Sequence, residues 1–170
     1  EVAKRLKQAR PDCIIIFGGP SARTALFELL PYRQPETYLD GLVPTAGETA
    51  FREIAKLNPL SRNSLASVNG LNIPTSGGWI HTEPRTPLAQ LDEIPSPYVN
   101  QLMKPNTVSY LETYRGCPLS CTFCEWGTSD KSGAVFSAEY LAAELSAYSQ
   151  QDVAAVFLVD AGLNLNARGF

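Results

Sequence analysis

One stretch limits the choice of fold more than any other: "DCIIIFGG", from Asp12 to Gly19. Cys13 to Phe17 are all apolar, and two glycines halt the run. A run without polar alternation suits a strand covered on both faces, as in a parallel sheet. Its neighbours fit the same plan. Val2, Leu6 and Ala9 share one face of a short helix that Pro11 ends. Ser21 can cap a second helix that buries Leu26, Leu29 and Leu30 and stops at Pro31. "YLDGLVPTAG" reads as another strand, and a helix from Glu48 buries Phe51, Ile54 and Ala55. Helix–strand–helix–strand–helix is an α/β order that favours a parallel sheet. Two strands fall short of the usual sheet, so residues 1–58 read as the C-terminal part of a larger domain.

Residues 59–106 are rich in proline, glycine, serine and asparagine. "LASVNGLNIPTSGGWIHTE" predicts a hairpin, and "LDEIPSP" an extended linker, because proline and the residue before it resist helix. Residues 107–170 open a second α/β unit. "TVSYLETY" is a strand, Ser137 caps a helix with Leu141, Leu145 and Tyr148 inward, and "VAAVFLVDAG" is a further buried strand. One βαβ unit cannot close a barrel, so this end also reads as truncated. The chain opens on Glu1, without a methionine or signal peptide, and is expected to be a piece of a longer protein.

With 44% hydrophobic and 18% charged residues, the 170-residue chain is not a disordered one. A net charge of −3 without a lysine/arginine run gives no nucleic-acid track. No apolar run approaches the roughly 20 residues of a membrane span. Four cysteines are too few for a disulfide scaffold, and three of them cluster, which points to metal ligation in a reducing compartment, the cytoplasm.

The cluster lies in "RGCPLSCTFCEWG", where Cys117, Cys121 and Cys124 follow a C-x3-C-x2-C spacing. Structural zinc needs four ligands and would have to recruit Cys13, His81 or Glu125. His81 reads otherwise as a turn residue and Cys13 as a small core residue. A 4Fe–4S cluster fits three thiolates better, leaving one iron open for an exogenous ligand. Gly116 and Pro118 shape the loop, and Phe123 offers an apolar face beside it.

"GCPLSCTFC" resembles the motif of radical S-adenosylmethionine (SAM) enzymes, including the aromatic residue before the last cysteine. The resemblance implies that Cys117, Cys121 and Cys124 each bind one iron while the fourth chelates SAM. It implies reductive cleavage of SAM to a 5'-deoxyadenosyl radical, within a (β/α) barrel whose first strand precedes the loop. Phe123 would pack near the adenine, and Asp160, at the end of the second barrel strand, is a candidate cofactor contact; otherwise it is a cap or loop carboxylate. Glu125 and Trp126 line the site or pack the loop.

"PDCIIIFGGPSA" with "YLDGLVPTAGETAFREI" is similar to the latter part of the Rossmann-like cobalamin-binding domain found before the barrel in one class of these enzymes. The resemblance implies cobalamin contacts by Gly18, Gly19 and Pro20 and by Gly47 and Glu48, in loops at the carboxyl ends of the strands. It further implies methyl transfer or rearrangement on a small-molecule or peptide substrate, and an electron donor such as a flavodoxin or ferredoxin. The class often carries an Asp-x-His-x-x-Gly loop to cobalt, and this chain has none. The isolated chain is expected to be inactive. The non-enzyme alternative is a zinc- or cluster-binding module.

Overall fold

The structure is a computed structural model that describes residues 1–19, 21–44, 46–104, 107–124 and 133–167. The chain divides into two compact units, Glu1–Thr86 and Pro87–Phe170. The hairpin part of residues 59–106 lies in the first unit and the proline-rich part in the second.

The first unit is a mixed four-stranded sheet with helices α1 (Val2–Ala9) and α2 (Glu48–Ile54). Strands β1 (Ile16–Gly18) and β2 (Gly41–Val43) run parallel, in the register Phe17↔Leu42. The hairpin of β3 (Asn72–Thr75) and β4 (Gly78–His81) adds antiparallel to β2, so the order is β1-β2-β3-β4. The apolar run behaves as its lack of alternation requires. Ile14 and Ile16 pack on a core of Val43, Ala50, Ile54, Leu65, Val68, Leu71 and Ile73. Ile15 faces the other way, into Ala22, Tyr38, Leu39 and Leu42.

Three helix expectations need correction. The segment after Ser21 is a short 3-10 turn, Thr24–Glu28, and Leu29 and Leu30 are exposed. Prolines 20 and 31 bracket this segment, and so few residues cannot offset the cost of nucleating an α-helix. In α1, Val2, Leu6 and Ala9 face solvent, while Ala3 and Lys7 face the protein. In α2, Ala50 and Ile54 are buried, whereas Phe51 and Ala55 are exposed.

The α1 reversal has an electrostatic cause. Asp40 is buried at the start of β2, where its Oδ2 accepts from Ile15 N at 2.7 Å and pairs with Lys7 Nζ at 2.8 Å. Arg62 Nε lies 3.7 Å from Oδ1. A buried carboxylate requires such partners, and this requirement turns the Lys7 face of α1 inward.

The second unit pairs β5 (Val108–Leu111) and β6 (Ala155–Leu158) in parallel, with α3 (Ala138–Gln150) between them in sequence. Ser137 caps α3 as expected, accepting from Tyr140 N at 3.0 Å. The buried face of α3 is Glu144, Ala147 and Tyr148; Leu145 points outward. β6, expected to be buried, is exposed along its length. "LDEIPSPY" is a packed strap rather than a free linker: Leu91, Ser96 and Tyr98 are buried, and the Tyr98 hydroxyl accepts from Tyr110 N at 2.9 Å. Tyr140 Oη donates to Ile94 O, and Gln151 Nε2 to Tyr98 O. Among the described residues, no helix is long and apolar enough to cross a membrane.

Candidate cofactor-binding site

The cysteine loop leaves the C-terminal end of β5. Its stem, residues 113–115, pairs antiparallel with the stretch before α3: Arg115 N donates to Ala134 O, Phe136 N to Thr113 O, and Tyr114 bridges Val135. Arg115 also grips the Glu112 carboxylate in a fork at 2.9–3.1 Å. Gly116 then takes a φ of +93°, a turn that suits a residue without a side chain. Cys117 is buried, Cys121 exposed and Cys124 partly buried, and all three thiols are free. Cys121 O and Cys124 N close a tight turn at 3.1 Å, which lifts Phe123 to 89% exposure.

Three unbridged thiols on one short loop are a chemically fitting donor set for an iron–sulfur cluster. Among the described residues, no three His, Cys, Asp or Glu side chains converge on a metal-binding geometry. Two of the other ligands considered for zinc, His81 and Cys13, have local contacts. His81 Nδ1 lies 2.7 Å from Asn72 Oδ1, and Cys13 packs in the first unit beside Tyr38 and Leu39.

Asp160 sits just past β6, at the same end of the ladder as the loop. Its Oδ1 accepts from Thr113 N at 2.7 Å and, at 3.4 Å, from Tyr114 N; its Oδ2 accepts from the Thr113 hydroxyl at 2.6 Å. The Tyr114 hydroxyl donates to Gly162 O at 2.6 Å, and burial pushes the Tyr114 phenol upward in pKa. Sequence reasoning singled out Asp160 but missed its partners, which lie 47 residues away.

In the first unit, Gly18 ends β1 and Gly19 follows it, and Gly47 with Glu48 opens α2 shortly after β2, at the same ends of the two parallel strands. Gly19 has a φ of +92°, and among the described residues a Cβ there would meet nothing within 4 Å. A Cβ on Gly18 would find only Val43 O, at 3.8 Å. Among the described residues, internal packing therefore does not demand these glycines. Gly47 O accepts from Phe51 N, and Glu48 is exposed in the first turn of α2. Pro20, Glu125 and Trp126 lie outside the described residues.

Along nearly its whole length the chain is similar to two curated methyltransferases, one of them named as a cobalamin-dependent radical SAM enzyme. It is 30% identical over 179 residues to the 2-(S-pantetheinyl)-carbapenam-3-carboxylate methyltransferase of Streptantibioticus cattleyicolor, covering 99% of this chain and 26% of the relative. It is 29% identical over 182 residues to the cobalamin-dependent radical SAM methyltransferase TokK of Streptomyces tokunonensis, again covering 99% and 26%. The chain thus spans about a quarter of the length of these curated relatives. The fold is shared with the radical SAM methyltransferase TsrM of Kitasatospora setae, solved with cobalamin and a [4Fe-4S] cluster (TM-score 0.66, 15% identity, 99% of this chain and 34% of that one). It is also shared with OxsB, a cobalamin-dependent SAM radical enzyme solved with aqua-cobalamin and SAM (TM-score 0.60, 23% identity, 95% and 23%). No family model matches the chain.

Proposed function

We propose that the chain carries cofactor-binding parts of a cobalamin-dependent radical SAM enzyme that transfers a methyl group to, or rearranges, a small organic substrate. The observation that carries this reading is the set of three free thiols, Cys117, Cys121 and Cys124, on the loop leaving a parallel strand. Those residues would hold a 4Fe–4S cluster, which when bound supplies the electron for reductive cleavage of SAM. The chain's own share is positional. The paired stem of residues 113–115 aims the loop, and Phe123 presents an apolar ring beside it for an adenine. In the first unit, the open backbone at Gly18 and Gly19 and the loop at Gly47 and Glu48 would hold the corrinoid, because missing side chains allow close approach. A small-molecule substrate and an electron donor of the flavodoxin or ferredoxin type complete the proposal. The solved relative TsrM, bound to tryptophan as substrate and to a SAM analogue, supports the substrate class.

The test is anaerobic reconstitution with iron and sulfide, then electron paramagnetic resonance of the reduced chain with and without SAM. A 4Fe–4S signal that shifts on adding SAM supports the reading. A silent sample holding one zinc per chain overturns it in favour of a zinc module. For the corrinoid, the probe is Gly18→Val, where among the described residues a Cβ meets only a carbonyl oxygen, at 3.8 Å. It should leave the thermal midpoint nearly unchanged and weaken hydroxocobalamin binding roughly tenfold or more, as a side chain blocks the approach. Equal corrinoid affinity in Gly18→Val and the parent would exclude this site.

A further inference from the structure

The three residues that lead into the cysteine loop are held from both sides. Toward α3 they form the paired stem with residues 134–136. Toward β6 they are held by Asp160 and Gly162: both carboxylate oxygens of Asp160 take donors from Thr113, and the Tyr114 hydroxyl reaches Gly162 O. Thr113 to Arg115 therefore act as a central rung between two flanking segments. Cys117 lies two residues further on and is 7% exposed, whereas Cys121 is exposed and Cys124 partly buried. Of the three thiols, the one nearest the rung is the most buried.

We propose that Asp160 is a positioning residue for the cysteine loop: through Thr113 it fixes the stem so that Cys117 stands as a pre-placed anchor thiol, with Cys121 and Cys124 recruited after it. Charge-assisted bonds of this kind are stronger than neutral ones and hold a loop base against fraying. Both oxygens of Asp160 are engaged by protein donors, so its effect on a bound group passes through Thr113 and Cys117. The anchoring role deepens, and rests on, the reading that the three cysteines hold an iron–sulfur cluster; the clamp itself does not depend on metal.

The experiment is timed iodoacetamide labelling of the metal-free chain, read cysteine by cysteine by mass spectrometry. In the parent, Cys117 should react roughly tenfold or more slowly than Cys121, because it must wait for the stem to open. Asp160→Ala should accelerate Cys117 about tenfold through loss of the charged acceptor, while Cys13 and Cys121 keep their rates. Asp160→Asn, which retains an acceptor for Thr113 N, should recover much of the protection. Thr113→Val, a milder change that deletes one bond to Asp160, should accelerate Cys117 by a smaller factor. An unchanged Cys117 rate in Asp160→Ala overturns the proposal, as does equal acceleration of all four cysteines, which marks general loss of structure. The same chains are then reconstituted with iron and sulfide and challenged with a chelator, where Asp160→Ala should lose iron several-fold faster than the parent. If the labelling shifts but the parent takes up no iron, the clamp stands, and the anchoring role falls together with the cluster reading. If the parent holds a cluster and labelling does not move, the clamp falls and the cluster reading stands.

Discussion

Asp40 carries more of the first unit's architecture than its place in a strand-leading "YLDGL" suggests. One carboxylate binds the backbone of the segment before β1, pairs with α1 through Lys7, and lies near Arg62, whose guanidinium also caps Leu39 O. Removing one partner of a buried pair strands the other charge, and this costs more than the pair contributes in place. Asp40→Ala should therefore lower unfolding stability by roughly 3 kcal/mol, seen as a lower urea midpoint. Asp40→Asn keeps an acceptor for Ile15 N and should cost less; equal stability of Asp40→Ala and the parent would refute this account. Gly19 makes a separate residue-scale case. At a φ of +92°, with no described residue within 4 Å of the new Cβ, Gly19→Ala should cost about 1 kcal/mol through backbone strain. The glycine pair was visible in the sequence because nothing else stops an apolar run so abruptly. The Asp40 network was not, because an apolar stripe on a short helix says nothing about a buried charge waiting for its lysine.

At the scale of elements, α3 separates what the sequence discloses from what it hides. Its start was legible, because Ser137 caps it through purely local chemistry. Its inward face was legible only in part: Tyr148 is buried as expected, but burying Glu144 depends on the Tyr148 hydroxyl, which lies within reach of both Glu144 Oε2 and Tyr110 O. The strap before β5 was hidden for the same reason: prolines mark an extended chain but not what it lies against, and Leu91 and Tyr98 make it part of the core. The cysteine loop was legible through spacing alone, whereas its clamp joins residues 47 positions apart. This unit should also respond to alkali. Burial, then the nearby Glu144 charge, pushes Tyr140 up to about 12 and shifts Tyr148 in the same direction. A raised phenol pKa means that the fold favours the neutral form. The resulting stability is complete below the ordinary tyrosine value near 10 and drains away as pH rises from there through about 12. Tyrosinate absorbance and the helical circular dichroism signal should then show a shared late transition between those pH values. Complete tyrosine ionisation with the helix signal intact would contradict this, and Tyr140→Phe should soften the transition.

Across the whole chain, apolar surface is exposed in a pattern that single surface residues do not explain. Val108 and Tyr110 on β5, and Val156, Phe157 and Leu158 on β6, are open, and the Tyr110 and Phe157 rings stack across the ladder at 6.2 Å. Val108, Tyr110 and Phe157 form an apolar patch on one face of the ladder, while Val156 and Leu158 lie on the other; exposed patches favour association, and an exposed strand pair adds unpaired backbone groups at its edges. The isolated 170 residues should self-associate in a concentration-dependent way, with an apparent mass by sedimentation that rises over the micromolar range and with dye binding typical of open apolar surface. Phe157→Lys places a charge in the middle of the patch without touching the buried face of α3. It should lower both association and dye binding while leaving helical content unchanged. A parent chain that sediments as a monomer at every concentration would mean that the ladder is covered in solution, and Phe157→Lys should then lower stability instead, because the lysine would enter a packed interface.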